Sequence, residues 1–393
     1  MKFYNIFDLL RYTAHQKNLQ INEMMIYFKE RGISKAELLK TKHPAYYPSD
    51  KTVAQTFLTF LGISELELNL ILGKLPKEYE ETYFDNITQI AALLKDGKKL
   101  DEKPTLKLPI FNSKRGTLYN NDCIDVMKNF EDSTFDLIFA DPPFNLNKDY
   151  DDGVCDDLSV SDYLNWTMRW VGECVRLLKP GGYLFIYNIP KWCTYIAGYL
   201  NQHLTFWDWI AIDMKCRLPI HGRLYPAHYG LIAYIKGTKP STYNNLRIPL
   251  QTCRHCGGDV KDYGGYKSKM NPLGVNLSDI WSDIYPVRHK STKKRKFNEL
   301  PVKLLDRIIS LATNEGDTVF DPFGGSGTTY AVAELLGRRW VGCEIGNCDV
   351  IIERLQNLSN DKGQLEKINT DKGLLFTEYA QKLRKQNDFW LVD

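Results

Sequence analysis

Two short stretches place reactive residue types at spacings that could do chemistry. Asp141-Pro142-Pro143-Phe144 follows directly on the apolar run FDLIFA at 135–140. Consecutive prolines hold two φ angles at about −65° and remove two backbone donors, so such a turn offers a carboxylate and carbonyl oxygens but few N–H groups. It is an acceptor cluster on a rigid support, with an aromatic ring beside it. The second stretch is Asp321-Pro322-Phe323-Gly324-Gly325-Ser326-Gly327-Thr328-Thr329, which lies between DTVF and an apolar helical run. Glycines after a strand let the backbone turn tightly and approach a ligand, with helix-start N–H groups close by. Seventeen residues past Gly327 the run WVGCE ends in Glu344, an acid at a strand tip that can accept both ribose hydroxyls of a nucleoside. The spacing fits neither G-x-G-x-x-G nor G-x-x-x-x-G-K, which weakens dinucleotide and ATP readings.

An exocyclic amine of adenine or cytosine is a poor nucleophile because its lone pair is delocalised into the ring. Two acceptors gripping its two N–H groups favour a pyramidal nitrogen with the lone pair pointing outward. Asp141 and the Pro142 carbonyl could supply those acceptors, and Phe144 could stack on the base. Asp141 need not be a strong base in advance, because the nitrogen acidifies as a carbon bonds to it. Attack at a ring carbon needs a thiol nucleophile, usually after proline, and no proline here is followed by cysteine.

Taken together, the two motifs resemble those of the β group of DNA amino-methyltransferases, the adenine-N6 and cytosine-N4 type. The DPPF half comes first and the FGGSG half later, as in that group, and the resemblance covers roughly 110–360. It implies an α/β fold: a Rossmann-like sheet dependent on S-adenosyl-L-methionine (AdoMet), with an inserted target-recognition region and, here, an N-terminal helical domain. It also implies direct in-line methyl transfer to a base flipped out of duplex DNA. Carried over by position, Asp141, Pro142, Pro143 and Phe144 become catalytic. Asp321, Pro322, Phe323, Gly324, Gly325, Ser326, Gly327, Thr328 and Glu344 become cofactor-binding. Asn121-Asp122-Cys123 stands where the family has Gly-Asp-Cys, which adds Asp122 and Cys123. The loop before the helix at 301–312 departs from the family's His-Pro-Thr-Gln-Lys-Pro, and Asn298 is the candidate contact in it. Cytosine-modifying members more often carry Ser at the position of Asp141, so adenine N6 is the first reading and cytosine N4 the alternative. A non-catalytic DNA-binding subunit of the same fold is the alternative from another class, and two intact motifs argue against it.

These motifs must be positioned by regular elements. Short apolar runs alternate with amphipathic helices from 116 to 188 and again from 302 to 344, which reads as a parallel sheet buried on both faces. The domain reading is 1–94 helical N-terminal domain, 95–109 lysine-rich linker, 110–236 catalytic half, 237–297 inserted recognition region, 298–360 AdoMet-binding half and 361–393 C-terminal extension. Within the first region, 52–75 reads as two helices about a glycine turn.

The bulk numbers set the remaining limits. A chain of 393 residues exceeds one usual core, and 43% hydrophobic with 25% charged residues is ordinary for a soluble globular protein. No apolar run reaches membrane-spanning length and the N-terminus lacks a signal-like pattern. Nine scattered cysteines fit a reducing cytoplasm. Net charge is only +3, but Arg288, Lys290, Lys293, Lys294 and Arg295 crowd one short run and are read as phosphate contacts to double-stranded DNA. Base reading falls to 215–285, with Lys215, Arg217, His221, Arg223, His228, Arg254 and Tyr263 on offer. Cys253 and Cys256 offer half of a structural zinc site; two thiols in a tight turn is the simpler reading, so no metal is expected. A homodimer and a cognate restriction endonuclease are compatible partners.

Overall fold

The structure is a computed structural model. It describes residues 3–43, 46–96, 108–146, 149–150, 154–155, 157–214, 221–222, 224–287 and 299–392. The chain divides into two compact units, one of 1–102 with 145–149 and 155–169, the other of 103–144, 150–154 and 170–393.

The first unit is helical, with α1 (Ile6–Gln16), α2 (Ile21–Glu30), α3 (Lys35–Lys40), α4 (Lys51–Leu61), α5 (Glu65–Ile71), α6 (Glu80–Asp85) and α7 (Ile87–Asp96). Side-chain caps start several of them: Asn5 accepts from Asp8 N, Ser34 from Glu37 N, and Ser64 and Glu67 cap one another reciprocally. Phe28 centres the core, with Phe57 and Phe60 rings at 5.3 and 5.0 Å. The pair α4 and α5 flanks Gly62, as the glycine-turn reading expects.

The second unit is built on a nine-stranded sheet. Its strands are β1 (Phe111–Asn112), β2 (Gly116–Asn120), β3 (Phe135–Ala140), β4 (Leu178–Asn188), β5 (Thr205–Asp213), β6 (His228–Ile235), β7 (Ile280–Trp281), β8 (Thr318–Asp321) and β9 (Arg339–Glu344). The spatial order is β1-β2-β9-β8-β3-β4-β6-β5-β7. The five strands from β2 through β4 run parallel, and β6 is antiparallel to both its neighbours. The near-continuous burial of β3, β4 and β6 matches their largely apolar sequences, and it drops at Asp136 in β3 and at Lys179 and Pro180 in β4. Helices α8 (Cys123–Met127), α9 (Val160–Leu177), α10 (Pro190–Leu200), α11 (Val302–Ala312), α12 (Thr328–Leu335), α13 (Asp349–Gln356), α14 (Ser359–Asp371) and α15 (Glu378–Gln386) follow in turn. In this unit α10 packs on β4 and β6, while α11, α12 and α14 pack on one another. This is the Rossmann-like methyltransferase fold, and the strand order reverses direction between β8 and β3, where open α/β sheets bind ligands.

The stretch read as an insertion is less separate than its composition suggests. It forms a small ladder of 247–248 with 275–276, then returns β7 to the edge of the main sheet beside β5.

Candidate active site

Parallel pairing sets the site. Because β3, β8, β9 and β2 are consecutive neighbours, the turns after their carboxyl ends fall along one edge. Asp141 leaves β3, the glycine loop leaves β8, Glu344 ends β9, and Asn120, paired with Glu344, ends β2. The two motifs, separated by 180 residues from Asp141 to Asp321, therefore emerge from adjacent strands.

The glycine loop is held from below and behind. Asp321 is 2% exposed; its carboxylate accepts from Phe323 N at 2.9 Å and Thr329 Oγ1 at 2.5 Å. Burial pushes its carboxyl well above the usual range against those two hydrogen bonds, and the charges of Asp141 and Glu344 add to the rise. Three carboxylates thus share one field at the strand ends. Glu344 accepts from Gly325 N at 2.7 Å and Gly346 N at 3.0 Å, so both oxygens are aimed by backbone amides. Gly325 and Gly327 are left-handed, with φ of 54° and 76°. A Cβ on Gly327 would lie 2.9 Å from Ile351 Cγ2, so conformation and space both exclude a side chain there, and one on Gly324 would lie 2.9 Å from Tyr330 Oη.

On the β2 side, Asp122 caps α8 through Ile124 N at 2.8 Å, and Cys123 is buried. Asn120 Nδ2 bridges Glu344 O at 2.9 Å and Gly346 O at 2.8 Å. A glycine-rich loop, an oriented acid and clustered carboxylates fit a nucleoside that carries a positively charged sulfur, which is what AdoMet presents.

Phe144, expected to stack on a base, is 8% exposed and belongs to an aromatic trio. Its ring lies 6.1 Å from Tyr187 and 5.8 Å from Tyr229, which are themselves 5.0 Å apart. Burial raises the Tyr187 hydroxyl well above its ordinary value, and the charge of Asp141 adds to it, so Asp141 and this wall share the site. The turn is fastened by Trp192 Nε1, which donates to Phe144 O at 2.7 Å. Trp192→Phe keeps the ring but strands that carbonyl, a loss of about 1–3 kcal/mol. A lower melting temperature and slower methyl transfer are expected, with AdoMet affinity unchanged by calorimetry.

Sequence reasoning missed Tyr187, Tyr229, Trp192, Asn120 and, most consequentially, Arg354. Arg354 is 2% exposed and donates to Ser326 O at 3.1 Å, Thr328 Oγ1 at 2.8 Å and Glu299 Oε1 at 3.2 Å. It also pairs with Asp361 at 2.6 Å, so one guanidinium ties the glycine loop to the segment before α11.

Asn298 and the basic residues Arg288, Lys290, Lys293, Lys294 and Arg295 lie outside the described residues, as do Lys215, Arg217 and Arg223. Cys253 is exposed and Cys256 half-buried, in a turn closed by Gly257 N to Cys253 O at 2.8 Å. Among the described residues no three His, Cys, Asp or Glu side chains are grouped to hold a metal, and no helix is long and apolar enough to cross a membrane.

Comparison with known proteins identifies what the chain is similar to. A family described as DNA methylase, of the N6/N4 type, matches residues 135–353. Type II methyltransferase M.BamHI of Bacillus amyloliquefaciens is 53% identical over 100% of this chain and 94% of its own length. Type II methyltransferase M.HpaI of Haemophilus parainfluenzae is 33% identical over 61% of this chain and 74% of its own. The solved structure of PvuII DNA methyltransferase (cytosine-N4-specific) aligns with 68% of this chain and 96% of its own at 16% identity, with a TM-score of 0.45.

Proposed function

The chain belongs to the N6/N4 DNA methylase family and is a site-specific, AdoMet-dependent DNA methyltransferase; within that assignment we propose that Asp141 grips the exocyclic amine of a flipped base, adenine N6 in the first reading. The observation that supports it is the carboxylate of Asp141 on a proline-stiffened turn one strand away from the glycine loop.

AdoMet supplies a methyl group on a sulfonium sulfur. Gly324 to Thr328 and Glu344 hold it, with Asp122 and Cys123 at the neighbouring strand end. Asp141 and the Pro142 carbonyl accept the two N–H groups of the amine and turn its lone pair outward. When bound there, AdoMet would supply the methyl carbon that the outward lone pair meets and would leave as the neutral thioether, while Asp141 would take the surplus amine proton and pass it to water. The wall of Phe144, Tyr187 and Tyr229 offers an apolar face beside the base, offsetting part of the few kcal/mol that flipping costs.

Cytosine N4 presents the same amine to the same acceptors, and the preference for adenine rests on an acid at position 141. The curated relatives are named Type II methyltransferases, which supports a role as the modification partner of a restriction endonuclease. The test is incubation of the purified full chain with labelled AdoMet and unmethylated genomic DNA, followed by nucleoside mass spectrometry. N6-methyldeoxyadenosine is expected. N4-methyldeoxycytidine alone would replace the base and keep the amine chemistry; no label in several genomic DNAs would refute catalysis and favour the binding-subunit alternative.

A further inference from the structure

Residues 245–285 and the C-terminal residues after 372 are folded together. Leu250 N donates to Leu375 O at 2.8 Å, and Tyr379 Oη to Arg254 O at 3.4 Å. Leu375, Phe376 and Ala380 bury against Leu250, Val260 and Met270. The fully buried Arg384 guanidinium donates to Gly257 O at 2.9 Å and to Gly258 O. Gly257 is left-handed at φ 77°, and a Cβ there would meet Arg384 Cγ at 2.6 Å. The turn after Cys253-x-x-Cys256 is shaped for the C-terminal helix.

Between these two segments and one face of α11 lies a cleft of about 860 Å³. Its cations are Arg247, Arg254, Lys303, Arg307, Lys367 and Lys372, against the carboxylates Asp283, Asp306 and Asp371. Asp283 pairs with the buried Arg307 at 2.6 Å and with Lys303 at 2.7 Å, and Asp306 pairs with Lys372 at 2.9 Å, so six cations against three carboxylates leave a positive excess in the lining, with Arg247, Arg254 and Lys367 outside these pairs. Arg254 lies over the Tyr285 ring at 4.7 Å, a stacked arrangement that keeps a guanidinium extended. Cations drawn from the 245–254 segment, α11 and α14 suit a partner with repeated anionic groups more than a single small anion.

We propose that this cleft binds the sugar–phosphate backbone of duplex DNA, and that the C-terminal residues 359–392 supply one of its walls. The proposal rests on the chain being a DNA methyltransferase. Arg254 and Lys367 stand on opposite segments and are both exposed, so Arg254→Ala and Lys367→Ala leave the fold intact. Each is expected to weaken binding about tenfold at low salt, equally for a duplex the wild type methylates and for an unrelated duplex. Each should also reduce the slope of log affinity against log salt by about one. Melting temperature and AdoMet affinity, measured in parallel, should match wild type. Unchanged affinity and slope would overturn the proposal, as would a loss confined to the methylated sequence, which would make the cleft a base reader. Failure of the wild type to methylate any DNA would instead count against the function itself, and is seen before any variant is made.

Discussion

Replacing Asp141 with Ala is expected to lower the single-turnover methyl-transfer rate by about a thousandfold, the scale at which one oriented acceptor or proton-transfer group contributes. The reason is geometric. The proline pair following Asp141 has no N–H to offer, so the carboxylate is the strongest acceptor the turn presents to an amine. Without it the lone pair stays conjugated with the base. AdoMet affinity should fall far less than the rate, because the glycine loop is shaped by Asp321, Glu344 and Arg354 and the variant removes only the charge of Asp141 from the field around the sulfonium. Asp141→Asn gives an intermediate result: one carbonyl acceptor survives, but the amide NH2 opposes the amine it faces. Rates come from rapid quench with enzyme in excess over DNA, and affinities from calorimetry. A near-normal rate for the Ala variant would remove Asp141 from the chemistry.

What the sequence revealed about the site follows from how its chemistry is distributed along the chain. Asp141 to Phe144 and Asp321 to Thr329 are each contiguous, each follows a run apolar enough to be a buried strand, and each contains proline or glycine where only those residues serve. Glu344 was legible for the same reason, as the last residue of WVGCE. Tyr187 and Tyr229 were not. They lie within β4 and β6, where a ring in an apolar run reads as core. Their meeting depends on antiparallel pairing that sets Tyr187 opposite Leu231, two residues from Tyr229.

The recognition region shows a different limit. Composition alone marked 237–297 as foreign to the α/β rhythm, but it carried no sign of which distant segment covers Leu250, Val260 and Met270. That cover is the C-terminal segment. Nor did it show that Ile280 and Trp281 rejoin the sheet. Side-chain burial between remote segments is a property of the assembled chain, and periodicity within either one does not encode it.

Arg354 carries the second large expectation. It is a single arginine on an amphipathic helix, which by itself reads as a solvated charge, yet it is 2% exposed, and its partners Asp361 and Glu299 are 0% and 8% exposed. Arg354→Met preserves bulk and removes every donor. Two buried carboxylates then lose this guanidinium, a cost of about 3–5 kcal/mol. Against a typical total of about 5–15 kcal/mol, that is a large fraction of the stability. A marked drop in melting temperature is expected. Two further measurements separate a bonding role from bulk packing. Adding Asp361→Asn to the Met variant should recover part of the loss, because a neutral amide is less costly to bury than a carboxylate, whereas Asp361→Asn alone should destabilise. At a temperature where the Met variant remains folded, its AdoMet affinity should fall more than its rate at saturating AdoMet, since Ser326 and Thr328 lose the guanidinium that fixes their loop. If affinity and melting temperature both match wild type, the buried ion network neither stabilises the fold nor shapes the loop.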